Sequence, residues 1–272
     1  MDETRIEKVD FNFRGGERFE KCRGVGWIPD KQDSRAPCAL LLHGLPSFGG
    51  LVRLGVELAY SGFPAFTFHY PGAWQKDGCF TLEDALEGVH AAIAKIQVGG
   101  FSIKREDLLL IGHSMGGTLA LLAATNHSGM PVAALAPFNF GRHIKDIEAA
   151  LPELVEPYNA SPEAILEEVQ RNPDRWDLTR AAAELRENPV LLIGGEHDTE
   201  VPTLKHHDPI ARAFLVAKAE HFRERIIHGA GHQFDETRLV DRTTMSTIIH
   251  WMRLLQNRYY GKYTGCKSIL IF

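Results

Sequence analysis

A serine between two glycines interrupts the apolar stretch LLLIGHSMGGTLALLAA at residues 108–124. The letters GHSMG form a G-x-S-x-G pattern between a strand-like run and a helix-forming run. A serine on so tight a turn has a strained backbone and a lifted hydroxyl, so Gly112 and Gly116 must lack Cβ atoms. The following helix brings its positive dipole end close to any developing oxyanion. The pattern favours Ser114 as a nucleophile; the alternative is a turn in which Ser114 only caps the helix.

A serine hydroxyl is a weak nucleophile unless a base takes its proton and an acid orients that base. Both partners are expected in loops that follow later strands. The acids after the run PVLLIGG are Glu196, Asp198 and Glu200. The histidines at the end of the run RERIIHG and in the loop beyond it are His228 and His232. The chain therefore supplies candidates in the order serine, acid, histidine.

Short, continuously apolar runs predict strands that are covered on both faces of a parallel sheet. These runs occupy residues 38–44, 64–72, 107–114, 131–138, 189–195 and 223–229. Amphipathic runs between them predict helices at residues 51–60, 81–97, 115–126, 205–219 and 236–256. This alternation indicates an α/β fold with a doubly wound, mostly parallel sheet. Two N-terminal runs with more alternation predict an antiparallel hairpin at the edge of the sheet.

Residues 139–187 break the alternation, because they carry helical signals and no strand-like run. Ser161 followed by Pro162 is typical of a helix start. We therefore expect a core made of residues 1–138 and 188–272, with a helical cap at 139–187 over the carboxyl edge of the sheet.

The motifs HGLP, GHSMGG, GGEHDTEVP and GAGHQF together resemble those of serine hydrolases of the α/β-hydrolase superfamily, carboxylesterases and lipases among them. The resemblance covers about residues 38–255 apart from the cap. It implies that the acid is Asp198, which precedes a Val-Pro pair by three residues, and that the histidine is His232. It places Glu196 and Glu200 in solvent and gives His228 a structural role.

The same resemblance implies an oxyanion hole formed by two backbone amides. One is the N–H of Met115, the residue after the serine. The other is the N–H of Leu45, in the H-G-x-P segment. His43 is expected to anchor this segment by hydrogen bonding, and His113 is expected to pack beside the serine rather than transfer protons.

Acyl-ester hydrolysis is the simplest function that these residues suggest, on a small-molecule acyl substrate and without a metal or organic cofactor. The sequence leaves open a thioesterase, a small peptidase or amidase, a C–C bond hydrolase, and a non-catalytic receptor that keeps the fold. The aromatic candidates for the substrate pocket are Trp74, Phe138, Phe140 and Trp176.

The charge balance argues against nucleic acid as the main partner, since 30 Lys and Arg face 35 Asp and Glu. No stretch approaches the roughly 20 apolar residues of a membrane span, and the charged first residues lack the apolar core of a signal peptide. The 4 cysteines have no metal-site or disulfide spacing. We therefore expect a cytoplasmic protein; a homo-oligomer stays possible.

Overall fold

A single sheet organises the computed structural model, which describes residues 4–14, 22–31, 36–46, 49–73, 79–98, 103 and 107–260. Within these residues the sheet has 8 strands in the order β1-β2-β4-β3-β5-β6-β7-β8. The strands are β1 Ile6–Phe13, β2 Cys22–Pro29, β3 Cys38–Leu42, β4 Ala65–Phe68, β5 Leu108–His113, β6 Val132–Leu135, β7 Val190–Gly195 and β8 Phe222–Ile227. The sheet is mostly parallel, as the sequence predicts.

The six strands from β3 to β8 are mutually parallel, whereas β1 and β2 pair antiparallel at one edge. The predicted N-terminal hairpin is therefore confirmed. Strands β3, β5, β6 and β7 are buried over nearly their whole length, because helices cover both faces. Their carboxyl ends meet at one edge, where the loops that carry the candidate residues begin.

The helices alternate with the strands and enclose the sheet in two apolar clusters, one on each face. They are α1 Gly49–Tyr60, α2 Leu82–Val98, α3 Met115–Thr125, α4 Phe140–His143, α5 Leu151–Leu154, α6 Pro162–Arg171, α7 Leu178–Glu184, α8 His207–Val216 and α9 Arg238–Tyr260. All five helices predicted outside the insertion are present, with ends shifted by a few residues.

The segment 139–187 contains α4 to α7 and two short 3-10 helices. Ser161 caps α6 by accepting the N–H of Ala164 at 3.2 Å. Glu168 of the same helix accepts the first N–H groups of α2, from Leu82 at 3.0 Å and Glu83 at 2.7 Å. The segment thus docks on the N-terminus of α2; its role as a cap stays a prediction.

No helix in the described part of the chain combines the length and the apolar character that crossing a membrane requires. Cys22, Cys38 and Cys79 are free thiols, two of them buried. Residues 74–78, which include the pocket candidate Trp74, and the tail 261–272 lie outside the described residues.

Candidate active site

Ser114 occupies a strained turn between β5 and α3, with φ 56° and ψ −122°. A positive φ in a residue with a side chain costs on the order of 1–3 kcal/mol and persists where the surroundings enforce it. A Cβ on Gly112 would overlap the main chain of Gly116, and one on Gly116 would overlap the carbonyl oxygen of Leu42. Glycine is therefore required on both sides of the turn, which lifts the serine at the carboxyl edge of the sheet.

Asp198 and His232 form a buried pair in the loops after β7 and β8. Nδ1–H of His232 donates to Oδ2 of Asp198 at 2.8 Å, with the side chains 5% and 0% exposed. The other oxygen, Oδ1, accepts the N–H of Glu200 at 3.0 Å and of Val201 at 2.7 Å. With its proton on Nδ1, a neutral His232 carries a lone pair on Nε2.

A side chain next to the serine ties the histidine loop to the elbow. His113 donates from Nε2 to the carbonyl oxygen of His232 at 2.8 Å, and the two rings lie 4.7 Å apart. Burial, reinforced by the neighbouring His232, lowers the pKa of His113 to about 4. His113 is therefore neutral near pH 7. Its role beside the serine stays a prediction. These contacts place the Asp198–His232 pair against the elbow that carries Ser114.

The H-G-x-P segment passes along the other side of the serine. A Cβ built on Gly44 would lie 2.9 Å from Cβ and 3.5 Å from Oγ of Ser114. The next amide belongs to Leu45, while Met115 begins α3, where the first N–H groups have no intrahelical acceptor. Met115 therefore directly follows Ser114 in the chain, and Leu45 directly follows the glycine that lies close to Ser114. The catalytic role of both amides stays a prediction.

Two tyrosines that sequence reasoning missed hold this segment from outside. His43 donates from Nδ1 to the carbonyl oxygen of Gly44 at 3.0 Å, which is the anchoring contact expected of it. Tyr70 donates its hydroxyl to the carbonyl of His43 at 2.9 Å, and Tyr158 donates to the carbonyl of Gly44 at 3.3 Å. Tyr70 carried a weak signal, because it begins the loop after β4; Tyr158 carried none.

The remaining acids of the β7 loop face solvent. Glu196 is exposed and accepts Nδ1–H of His228 at 2.7 Å and the N–H of Gly229 at 2.9 Å. The Gly229 N–H first, and then His228, lower the pKa of the Glu196 carboxyl. Glu200 is exposed as well. The pairing of Glu196 with His228 agrees with the structural role predicted for His228.

Three of the four aromatic pocket candidates, Phe138, Phe140 and Trp176, lie within the described residues and are buried in the apolar core on one face of the sheet. The N–H of Phe138 donates to the carbonyl oxygen of Ser114 at 3.4 Å, so this residue adjoins the elbow. The Phe140 ring meets the Phe138 ring in an edge-to-face arrangement, with 4.8 Å between the ring centroids. Phe140 and Trp176 are each 1% exposed. Of these three described candidates, Phe138 is the one whose main chain bonds to the serine. The pocket roles of all four candidates stay predictions.

A cavity of about 330 Å³ lies beside the site, between α1, α9 and the loop after β8. Its wall includes His113 and Gln233, which are chain neighbours of Ser114 and His232, together with Phe234. This cavity borders the residues that support the pair rather than the reacting side chains, and we do not assign the acyl group to it.

One group of side chains among the described residues has ligand types that could hold a metal. It consists of His143, Asp146 and His206, whose ligand atoms lie within 4.8 Å of one another. Lys205 already contacts Asp146 at 2.8 Å, and Nδ1 of His206 accepts the N–H of Asn139 at 3.2 Å. A metal ion would have to displace the ammonium group of Lys205 from Asp146, because these two side chains already neutralise each other.

Comparison with known proteins agrees with this geometry. Residues 39–241 match the sequence profile of the alpha/beta hydrolase family. No curated protein matches the chain.

Three solved structures illustrate the structural likeness. Brefeldin A esterase, a bacterial homologue of human hormone-sensitive lipase, has a TM-score of 0.71 at 18% identity over 94% of this chain and 78% of its own. A thermostable carboxyl esterase from Bacillus coagulans has a TM-score of 0.67 at 13% identity over 92% and 99%. Est1E from Butyrivibrio proteoclasticus has a TM-score of 0.64 at 17% identity over 90% and 98%. At these identities the likeness establishes the fold.

Proposed function

The chain belongs to the alpha/beta hydrolase family, and on that premise we propose that it is a serine hydrolase that cleaves carboxylic esters of small to medium size. The observation that carries this proposal is the buried hydrogen bond of 2.8 Å from His232 to Asp198. The main chain of His232 is in turn hydrogen-bonded to His113, the residue before Ser114. Such a pair makes a serine hydroxyl nucleophilic enough to attack a carbonyl carbon, because the histidine takes the hydroxyl proton.

Each residue then has a defined role in the reaction. The Oγ of Ser114 attacks the ester carbonyl while Nε2 of His232 takes the hydroxyl proton. The N–H groups of Leu45 and Met115 donate to the oxyanion of the tetrahedral intermediate. His232 then gives its proton to the departing alcohol, which leaves an acyl ester on Ser114. A water molecule deprotonated by His232 releases the carboxylic acid and restores the serine.

Asp198 supports this cycle without exchanging a proton. It holds the imidazole with the proton on Nδ1 and stabilises the imidazolium that forms in each half-reaction. The two N–H groups on Oδ1 hold the carboxylate in the orientation in which Oδ2 meets His232.

Support for an ester as the substrate comes from the structural neighbours, of which brefeldin A esterase and the Bacillus coagulans carboxyl esterase are esterases by title. We place the acyl group beside Phe138, because this residue contacts the serine backbone. We also propose a reducing, cytoplasmic setting, in keeping with the free thiols of Cys22, Cys38 and Cys79.

A labelling experiment combined with a substrate panel tests the proposal. Wild type is expected to react with a fluorophosphonate probe on the peptide that contains Ser114, and Ser114→Ala is expected to stay unlabelled with an unchanged Tm. In the panel, short-chain aryl esters should be turned over faster than matched thioesters and aminoacyl amides. An unlabelled wild type would favour a receptor, and preference for a thioester or an amide would replace the ester as the substrate class.

A further inference from the structure

We infer that Tyr158, a residue of the helical segment 139–187, positions the oxyanion donor Leu45 by holding the carbonyl group of the same peptide unit. The inference rests on the proposed ester hydrolysis and adds a residue that lies outside every catalytic motif of the sequence. Its basis is the hydrogen bond of 3.3 Å from the Tyr158 hydroxyl to the carbonyl oxygen of Gly44.

The geometry of the peptide bond links this contact to the proposed donor. The carbonyl of Gly44 and the N–H of Leu45 belong to one planar trans unit, in which C=O and N–H point in opposite directions. A hydrogen bond on the oxygen therefore fixes the direction of the N–H on the opposite side. Since Gly44 passes alongside Cβ and Oγ of Ser114, rotation of this unit would move the proposed donor away from the oxyanion.

Two donors act on the same oxygen. Nδ1–H of His43 lies 3.0 Å from it, and the Tyr158 hydroxyl approaches from the helical segment. Burial lowers the pKa of His43 to about 4, so near pH 7 its ring is neutral. Hydrogen bonds on a carbonyl also polarise the amide, which strengthens donation by the N–H at its other end. Tyr158 is thus expected to orient and to strengthen the Leu45 donor.

The position of Tyr158 is set by its own main chain and ring. It forms a β-bridge with Ala73, and the next residue, Asn159, donates to Gly72 at 3.0 Å and accepts from Phe80 at 2.8 Å. The centroid of the Tyr158 ring lies 4.7 Å from that of the Phe80 ring. Tyr158 as a whole is 5% exposed. Burial raises the pKa of the Tyr158 hydroxyl, so it stays protonated and able to donate.

The effect of losing the hydroxyl is bounded by the effect of losing a donor. Removal of one oxyanion donor lowers kcat by about 10²–10³-fold. In Tyr158→Phe the Leu45 N–H and the His43 bond remain, so we expect a smaller loss, about tenfold in kcat, with KM within about twofold.

The test compares wild type, Tyr158→Phe and the control Tyr60→Phe, which removes a hydroxyl from a residue that is 59% exposed on α1. Initial rates with an aryl ester give kcat and KM, and thermal unfolding gives Tm. Inhibition by an aryl trifluoromethyl ketone, which forms an oxyanion on the serine, is compared with binding of the matched methyl ketone. Tyr158→Phe should weaken the trifluoromethyl ketone by about the factor lost in kcat and leave the methyl ketone unchanged.

A second pair of variants covers the case in which Tyr158→Phe fails to fold. 4-Aminophenylalanine and 4-methylphenylalanine at position 158 have similar shapes, and only the amino compound donates a hydrogen bond. The amino variant should exceed the methyl variant about tenfold in kcat and in affinity for the trifluoromethyl ketone.

The outcomes separate this inference from the proposed function. Suppose that Ser114 reacts with fluorophosphonate, but that kcat and inhibitor affinity are equal in wild type and Tyr158→Phe and equal in the amino and methyl variants. This result would overturn the role of Tyr158 alone. A lower Tm in Tyr158→Phe, without a selective loss of affinity for the trifluoromethyl ketone, would show that Tyr158 contributes only to packing. A wild-type protein that the fluorophosphonate does not label would overturn the proposed function itself.

Discussion

Replacing Asp198 with asparagine changes one acceptor into a donor while nearly keeping the shape of the side chain. Oδ1 of Asp198 accepts N–H groups from Glu200 at 3.0 Å and Val201 at 2.7 Å, so the amide oxygen must stay on that side. The amide nitrogen then faces Nδ1 of His232 across the present 2.8 Å contact. Two N–H donors cannot share a hydrogen bond, so the imidazole keeps its proton on Nε2, the atom that would accept the proton of Ser114 in the proposed reaction.

The cost follows from the wrong tautomer. In serine proteases with a Ser-His-Asp triad the same exchange lowers kcat by about 10⁴-fold, which corresponds to about 5.5 kcal/mol of activation free energy. Water cannot restore the acceptor, because the Asp198 side chain is 0% exposed. We therefore expect kcat to fall by about 10⁴-fold with little change in KM.

The assay measures initial rates with an aryl ester for wild type, Asp198→Asn and the control Glu196→Gln. Glu196 lies in the same loop, but it is exposed and pairs with His228, so its exchange should change kcat by no more than about twofold. Thermal unfolding of each variant verifies the fold. If Asp198→Asn kept more than about a tenth of the wild-type kcat, the assignment would be wrong, and Glu196 or Glu200 would become the acid to test.

Two further predictions concern stability. Gly116→Ala should abolish soluble expression or lower the free energy of unfolding by more than about 4 kcal/mol, because its Cβ overlaps a β3 carbonyl; Gly129→Ala, where nothing lies within 4 Å, should cost only about 1–2 kcal/mol of backbone strain. If urea unfolding showed the same loss of unfolding free energy in Gly116→Ala and Gly129→Ala, the result would contradict this steric account. Burial also lowers the pKa of His43 and His113 to about 4 and of His206 to about 3. Since the unfolded chain takes up these protons near pH 6.5, stability should fall by about 1.4 kcal/mol per pH unit for each histidine on acidification from about pH 6 to 4. Urea unfolding at about pH 7.5 and pH 5 measures this slope, which a constant free energy would refute.

The sheet was predictable because its central strands are buried on both faces. A continuously apolar run such as residues 38–42 is too short for a buried helix, and Gly44 just beyond it marks the end of a strand. The elbow was predictable for a steric reason, since the overlaps at Gly112 and Gly116 leave no other residue type. Where the packing of the main chain restricts the residue type at a position, the local sequence therefore predicts the structure.

The support of the site was less visible, because it depends on distances between segments that are remote in the chain. Local pattern did not separate Asp198 from Glu196 or Glu200; the family motif singled out Asp198, and the structure shows which carboxylate meets His232. Tyr158 lies 114 residues from the carbonyl it contacts, in a segment that carries no motif. Its contact could be found only once the helical segment had been placed against the sheet.

Three of the hydrogen bonds that hold the candidate site together end on main-chain carbonyl groups rather than on the reacting side chains. His113 holds the carbonyl of His232, the Phe138 amide contacts the carbonyl of Ser114, and Tyr158 holds that of Gly44. Such bonds restrict the direction of each functional group without occupying the lone pair or the N–H that the reaction would use. The variants of Tyr158 and Asp198 test different parts of this arrangement. Loss of the Tyr158 hydroxyl should weaken oxyanion binding while the base keeps its tautomer, whereas Asp198→Asn should disable the base while the oxyanion donors stay in place.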